Sequence, residues 1–246
     1  MMLKIWEADN FRRTLAGLCL IAAPLAMLAS EVSLHLTTPD NPLDTGQQLT
    51  IIAENPGIWQ LAVLLSLLAA ILFVPAVLGM IHLLRGRGVV LGHIGGGLAL
   101  IGALGLAGHA ALLSAFGEIS KAGTALGLDP GLMVKITERM EESIIGAIIV
   151  LLMWLLGLFF GLILLSIGLY RARFVPIWVV ACPVLAFVSA FLPFTSDVQK
   201  FVSVGFLVVG LGAIGLKVLA LSDQEWEKGP QPLPGKVEVG AQSQVQ

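Results

Sequence analysis

Histidine and cysteine are the residue types of this sequence that bind metals and cofactors most readily. Three histidines, His82, His93 and His109, lie in or beside long apolar segments, where an ionisable side chain is a functional hypothesis by default. His82 and His93 flank one short polar turn, so they are expected at similar depth on two joined helices. Cys19 and Cys182 are expected near that depth as well. Such a group could bind zinc, and the histidine pair alone could bind haem iron.

The spacing of these residues does not match a known ligand motif. His93 and His109 are sixteen positions apart, which on a helix separates them by about 160° in direction and about 24 Å along the axis. They therefore cannot share a ligand. His109 has Glu118, Glu141 and Glu142 near the same end of its segment, and a His–carboxylate pair there could bind a metal or a proton. The alternative is a neutral, packed histidine that is hydrogen-bonded to a carbonyl group.

The composition indicates that the elements carrying these residues lie in lipid. Of 246 residues, 57% are hydrophobic and 12% are charged, whereas a soluble domain has about 25% charged residues. A membrane span needs about 20 apolar residues. Six segments approach or exceed that length, at residues 14–30, 57–84, 89–116, 143–169, 174–196 and 198–221. The predicted fold is an all-α bundle of six transmembrane helices over residues 1–221.

The positions of Lys and Arg predict the orientation of the bundle, because short cytoplasmic loops are enriched in both. With the N-terminus in the cytoplasm, ten of the 14 Lys and Arg residues fall on the cytoplasmic side. Both termini are therefore predicted to be cytoplasmic. A cleaved signal peptide is the alternative for the first segment, although its apolar run is slightly long and no A-x-A site follows. The cysteines would face a reducing compartment, so no disulfide is expected.

One further helix, an extension of the fourth span and a tail are predicted outside the membrane. The stretch "TGQQ", Thr45–Gln48, fits a capping box, and a short surface helix is expected to follow through Ala53. Asp129 suits an N-cap and Pro130 suits the first helical position, so the fourth span is expected to begin near residue 130 and to project from the membrane. Residues 222–246 are rich in Pro, Gly and Gln and are predicted to be a disordered cytoplasmic tail.

The third segment contains "GHIGGGLALIGALGLAGHA", which has seven glycines and no charge. In lipid, small residues allow helices to approach closely. Small residues recur here at spacings of three and four, which places them on one helix face. The predicted packing seam consists of Gly88, Gly92, Gly96, Ala99, Ala103 and Ala107. The segment is therefore expected to be the central helix of a tightly packed bundle.

Three stretches and a long outer loop carry a resemblance to a broader group of proteins. The stretches are "FRRTLAGLCLIA" in the first span, "LLRGRG" between the second and third, and "GLILLSIGLYRARFVPIW" leading into the fifth. In this order the chain resembles uncharacterised bacterial six-span membrane proteins of the domain-of-unknown-function type. The resemblance implies a multi-pass protein of the bacterial inner membrane and carries over no active-site residue.

The lack of certain residue types in the sequence argues against several classes of function. The predicted spans lack the carboxylates that ion-coupled transporters use, and the net charge of −2 gives no sign of nucleic-acid binding. The interpretation is a non-enzymatic accessory or scaffold subunit, without a cofactor, whose partners are the lipid bilayer and other membrane proteins or further copies of itself. Two alternatives stay open. One is a transporter or permeation protein for small neutral or lipophilic molecules. The other is a haem- or metal-binding membrane enzyme that uses His82, His93 and His109.

Overall fold

The computed structural model describes residues 8–38, 45–84, 88–142, 144–190 and 196–228, and within these ranges the chain forms helices without a strand. The first five helices are α1 (Ala8–Thr37), α2 (Thr45–Glu54), α3 (Pro56–Leu83), α4 (Val89–Leu126) and α5 (Pro130–Glu142). A π-helical turn, Met153–Gly157, joins α6 to α7. The remaining helices are α6 (Ile144–Leu152), α7 (Leu158–Arg171), α8 (Ile177–Ser189), α9 (Ser196–Ala220) and α10 (Asp223–Lys228).

Five helical segments are long and apolar enough to cross a membrane. They are Phe11–Thr37, Pro56–Leu83, Val89–Leu126, Ile148–Arg171 and Val198–Ala220. Many apolar side chains on these segments point away from the bundle; Leu104, in the middle of α4, is 65% exposed. Such residues find apolar surroundings in lipid rather than in water. The chain therefore has the architecture of a helical multi-pass membrane protein, as its composition predicts.

The fifth predicted segment differs from the expectation of a full span over 174–196. The helix there, α8, has 13 residues, about 20 Å at 1.5 Å per residue, and the hydrocarbon core is about 30 Å thick. Pro176 is the extended N-cap, and a proline disfavours helical geometry in the residue before it. The helix therefore begins only at Ile177. Residues 191–195 lie outside the described part of the chain.

The long helices form a ring in which chain neighbours pack together. The order around the ring is α1, α3, α4, α7, α8 and α9, and α9 closes it against α1. Apolar side chains fill the interior, including the fully buried Phe73, Leu158 and Leu207. Contrary to the sequence prediction, α4 is a member of the ring rather than its central helix. Its small residues admit α3 and α7 on two sides, and its third side, with Ile101 and Leu104, is exposed.

The first and last described helices meet at one end of the bundle. A guanidinium nitrogen of Arg13 lies 2.8 Å from a carboxylate oxygen of Asp223. The end of α3 lies at this same end, because His82 stacks on Trp226 of α10. The start of α4 and the end of α7 lie there as well, because Gly88 packs against Gly168. We call it the terminal end, marked by Arg13, Gly88 and Asp223. The neighbours in the ring consequently run antiparallel.

The helices at the opposite end agree with their sequence signals. Helix α2 covers Thr45–Glu54. Helix α5 begins at Pro130, and the Asp129 carboxylate accepts a hydrogen bond of 3.2 Å from the backbone N–H of Leu132, which is an N-cap bond. Helix α4 is longer than predicted: it has 38 residues, about 57 Å, and therefore extends beyond a membrane core. Gly127 ends α4 with a φ of 60°.

The tail differs from the predicted disorder where it leaves α9. Residues Asp223–Lys228 form α10, and Trp226 is only 3% exposed. Ser222 and Glu225 form a reciprocal cap, in which the Ser222 N–H and hydroxyl donate to the Glu225 carboxylate at 2.9 and 2.8 Å. The cap and the buried indole stabilise this helix, which the composition of the tail does not predict. Residues 229–246 lie outside the described part.

The cap of α10 makes its stability depend on pH. Hydrogen bonds from the backbone N–H of Ser222 and then from its hydroxyl lower the pKa of Glu225 below its ordinary value. A lowered pKa stabilises the folded helix above the ordinary pKa, and this contribution is lost as the pH falls through the lowered value. We expect faster amide hydrogen exchange in residues 223–228, corrected for intrinsic rates, below about pH 4.

Two variants on the same helix provide the controls for this effect. Glu225→Gln removes the titrating group, so its exchange should lose the acid-dependent step that the unchanged protein shows. Glu227→Gln removes an exposed carboxylate that makes no cap and should keep the step. An identical pH profile in the protein and in Glu225→Gln would contradict the assignment of this cap.

Candidate functional site

The predicted packing seam on α4 divides between two neighbouring helices. Its first part faces the end of α3. A methyl group added to Gly92 would lie 3.1 Å from Leu84, and one added to Gly96 would lie 2.3 Å from Ile81. Gly88 has a φ of 84°, a left-handed conformation that glycine adopts without steric cost. Gly92 and Gly96 therefore position α4 against the end of α3, whereas Gly88 packs against Gly168 of α7.

The second part of the seam faces α7. A methyl group on Gly161 would lie 2.3 Å from the backbone nitrogen of Ala99, so the two backbones are in direct contact. Ala103 is buried, and Ala107 is half-buried. The predicted seam residues thus contact two different helices, α3 and α7. The contact with α7 is the closer of the two, because it joins backbone to backbone.

The closest contact between α4 and its neighbours uses glycines outside the predicted seam. A methyl group on Gly102 would lie 2.1 Å from the backbone nitrogen of Leu158, and one on Gly105 would lie 2.3 Å from that of Trp154. Gly95 meets α7 in the same way. Gly95 and Gly102 are seven positions apart, a spacing that places them on one helix face and could have predicted this contact. In so glycine-rich a segment, however, small residues form two adjacent stripes at the same helical spacing.

The π-helical turn lies at this close contact. A methyl group on Gly157, the last residue of the turn, would lie 2.7 Å from the backbone nitrogen of Gly102. Turns of this type occur frequently at functional sites. Trp154, within the turn, stacks its ring on that of His109, with centroids 4.7 Å apart and planes at 14°. The turn therefore presents an aromatic side chain to the histidine of α4.

The described neighbour of His109, for which a carboxylate or carbonyl partner was predicted, is the aromatic ring of Trp154. Glu118 pairs with Lys121 on its own helix, at 3.0 Å. The side chains of Glu141 and Glu142 lie outside the described part of the chain. The structure therefore shows the stack on Trp154 as the environment of this histidine.

The other two candidate histidines have separate environments. His82 stacks on Trp226 with centroids 4.5 Å apart, and its Nε2 donates a 3.1 Å hydrogen bond to the Trp226 carbonyl oxygen. His93 is exposed, and its Nδ1 donates to the carbonyl of Val89 in its own helix at 2.8 Å. Over the described residues, no three His, Cys, Asp or Glu side chains lie close enough to hold a metal ion. The predicted metal candidates are thus not brought together.

A cavity of about 230 Å³ lies between α1, the π-helical turn and α9. Its lining combines polar, charged and apolar side chains, including Met27, Glu31, Trp154, Gln199, Lys200 and Ser203. Glu31 belongs to α1 within a span-capable segment. A carboxylate, absent from the predicted spans, therefore lies in the helix that the structure extends beyond residue 30. The predicted first span stopped at residue 30, but the apolar residues after Glu31 continue the helix.

The cavity offers both donors and acceptors of hydrogen bonds. Glu31 and Lys200 contribute opposite formal charges, so the lining is neutral overall. The Ser203 hydroxyl donates to the carbonyl of Ala186 at 2.8 Å, and the Gln199 amide donates to Ala190, which fixes both side chains. The indole N–H of Trp154 is buried and has no hydrogen-bond partner among the described residues. Buried donors are normally satisfied, so this group is available to a bound molecule.

Comparison with protein-family models, curated proteins and solved structures finds no match for this chain.

Proposed function

We propose that the chain is a six-span protein of the bacterial cytoplasmic membrane with both termini in the cytoplasm, like the uncharacterised six-span proteins that it resembles. The position of α8 supports a sixth crossing. At the terminal end, the Lys217 ammonium donates to the carbonyl of Phe174, just before α8. At the other end of α8, Ser203 of α9 donates to Ala186. Helix α8 therefore runs antiparallel to α9, and the excess of Lys and Arg favours a cytoplasmic terminal end.

We propose further that the protein acts without catalysis, as an accessory or scaffold subunit of a membrane assembly. The observation that carries this proposal is that α4 passes through the bundle and beyond it, where it supports α2 and α5. The Ser120 hydroxyl of α4 donates to the carbonyl of Leu49 in α2 at 2.5 Å. Gly123 of α4 packs against Met133 of α5. We call α2, α5 and residues 117–126 of α4 the outer platform.

The outer platform has the features of a surface that meets a partner. A groove of about 380 Å³ lies between its three helices, with Thr50, Glu54 and Met133 in its lining. Leu126 and Leu132 are exposed nearby. Apolar side chains beside polar ones, on a part of the chain that extends from the membrane, are typical of a protein interaction site. The close contact of α4 with α7 gives this platform a rigid support.

A photo-crosslinking amino acid placed at Thr50 or at Leu132 tests the scaffold role in intact cells. We expect each position to give an adduct of one discrete mass, identified by mass spectrometry as another membrane protein or a second copy. Leu104 is the matched control, because it is exposed in the middle of α4 and should contact lipid alone. Alanine substitutions at His82, His93 and His109 should leave the adduct unchanged.

Two results would contradict the scaffold proposal. One is the absence of any discrete adduct from the outer platform, or the same pattern from Leu104. The other is a stoichiometric metal or a haem absorption band in the purified protein that is lost in the histidine variants, which would support the metal- or haem-binding enzyme instead.

The cavity beside the π-helical turn favours a second candidate, a permeation protein for small neutral molecules. Its volume of about 230 Å³ is below the range of about 300–1,000 Å³ that is typical of pockets for drug-sized ligands. The opposite charges of Glu31 and Lys200 leave the lining without net charge. A small neutral molecule with hydroxyl groups matches both the size and the polar lining.

Glycerol flux into proteoliposomes tests this second candidate. The candidate predicts faster flux than in protein-free liposomes and a loss of most of that excess in Ser203→Leu, whose larger side chain fills the cavity. Val202→Leu is the control, because Val202 is exposed on the adjacent position of α9. Flux equal to that of protein-free liposomes, or the same loss in both variants that fold normally, would contradict the candidate.

A further inference from the structure

A basic pocket lies at the terminal end, where the link from α7 to α8 passes the last turns of α9. It encloses about 480 Å³, and its charged lining residues are Arg171, Arg173 and Lys217. No acidic side chain is among the residues that line it. Three basic residues around one space that no acidic residue lines favour an anion there.

The ammonium group of Lys217 is held in place at this pocket. It donates a hydrogen bond to the carbonyl oxygen of Phe174 and lies 4.8 Å from the centre of the Phe174 ring. An ammonium has three N–H donors, so two remain for another molecule. The buried Phe174 thus fixes a charged group whose remaining donors have no other described acceptor.

Arg173, which also lines the pocket, has an unusual backbone conformation for a residue with a side chain. The N–H of Phe174 donates to the carbonyl of Leu169 at 2.9 Å, and the N–H of Arg173 donates to that of Tyr170 at 2.8 Å. These two bonds form a Schellman motif, in which glycine is usual at the left-handed position. Here that position is Arg173, with a φ of 59°. A residue with a Cβ is therefore kept in a conformation that favours glycine, and this residue lines the pocket.

Both arginines of the pocket retain their hydrogen-bonding capacity. The guanidinium groups of Arg171 and Arg173 make no hydrogen bond or ion pair with any residue that the structure describes. A guanidinium presents several N–H donors in a planar fork that matches the oxygens of a phosphate group. The pocket therefore combines two open forks with one fixed ammonium.

The pocket lies at the depth of lipid headgroups. The span-capable segment of α7 ends at Arg171. Tyr170 and Trp178, on either side of the pocket in the chain, are both exposed. Exposed Tyr and Trp rings are enriched at the boundary between hydrocarbon and water. The exposed side chain of Ile177 continues as an apolar surface along α8. An occupant with an anionic head and apolar chains fits both surfaces.

We propose that this pocket binds the phosphate group of an anionic phospholipid, with the acyl chains against α8. The site is independent of the scaffold role and requires only that the chain lies in a membrane. Basic pockets between transmembrane helices are known to bind lipid headgroups. The lipid would join the α7–α8 link to α9 in the part of the ring where α8 is too short to span the bilayer alone.

Native mass spectrometry of the full-length protein in detergent tests this proposal with phosphatidylglycerol and with phosphatidylcholine of the same acyl chains. We expect one phosphatidylglycerol to bind at least about tenfold more tightly than phosphatidylcholine. Each removed charge should weaken this binding about fivefold, since one basic residue near an anionic membrane surface raises the affinity about fivefold. Arg171→Gln and Arg173→Gly are the variants. Arg12→Gln, which removes an exposed charge outside the pocket lining, is the control.

Arg173→Gly separates binding from folding. Glycine suits the left-handed position, so this variant should keep or raise the Tm while it loses lipid affinity. Equal affinity for the two lipids would overturn the proposal, as would an equal loss in Arg12→Gln. Inorganic phosphate distinguishes a free anion from a lipid. If millimolar phosphate displaces phosphatidylglycerol completely and binds with the same dependence on Arg173, the site belongs to a free phosphate and the lipid assignment is wrong.

Discussion

Direct contact between the backbones of α4 and α7 is the interaction on which the arrangement of this bundle depends. In lipid, no hydrophobic effect drives one helix against another, so close packing has to supply the association. Gly102 and Gly161 leave no room for a side chain between the two backbones. A glycine inside a helix costs about 1 kcal/mol relative to alanine. Van der Waals contacts between the two backbones where they touch offset that cost.

The two helices of this contact lead to opposite ends of the molecule, α4 to the outer platform and α7 to the terminal end. The contact places the π-helical turn beside α4, so that Trp154 stacks on His109 and lines the cavity with Glu31. It supports the long α4, whose outer part carries α2 and α5. At the terminal end, α7 leads into the link that holds Arg173 beside Lys217. The proposed scaffold surface, the small-molecule cavity and the proposed lipid pocket thus share one structural element.

Composition and spacing predicted the helical membrane architecture, the N-cap at Asp129 and α2, because each depends on local chemistry. They were less informative where the outcome depends on tertiary contacts. Two stripes of small residues on α4 have the same helical spacing, and only the positions of the neighbouring helices decide which stripe makes the closer contact. The buried Trp226 orders a tail whose composition indicates disorder. The predicted first span ended at residue 30, one residue before Glu31, although the helix continues to Thr37.

Thermal unfolding of Gly102→Ala beside Gly97→Ala, in detergent, tests the central claim most directly. A methyl group at Gly102 meets the backbone of Leu158 at 2.1 Å, whereas one at Gly97 meets nothing within 4 Å. We expect Gly102→Ala to be destabilised by about 3 kcal/mol, at the upper end of overpacking effects. Gly97→Ala should be unchanged or stabilised by up to about 1 kcal/mol, because alanine favours the helix. Equal stability of the two variants would contradict direct backbone contact between α4 and α7.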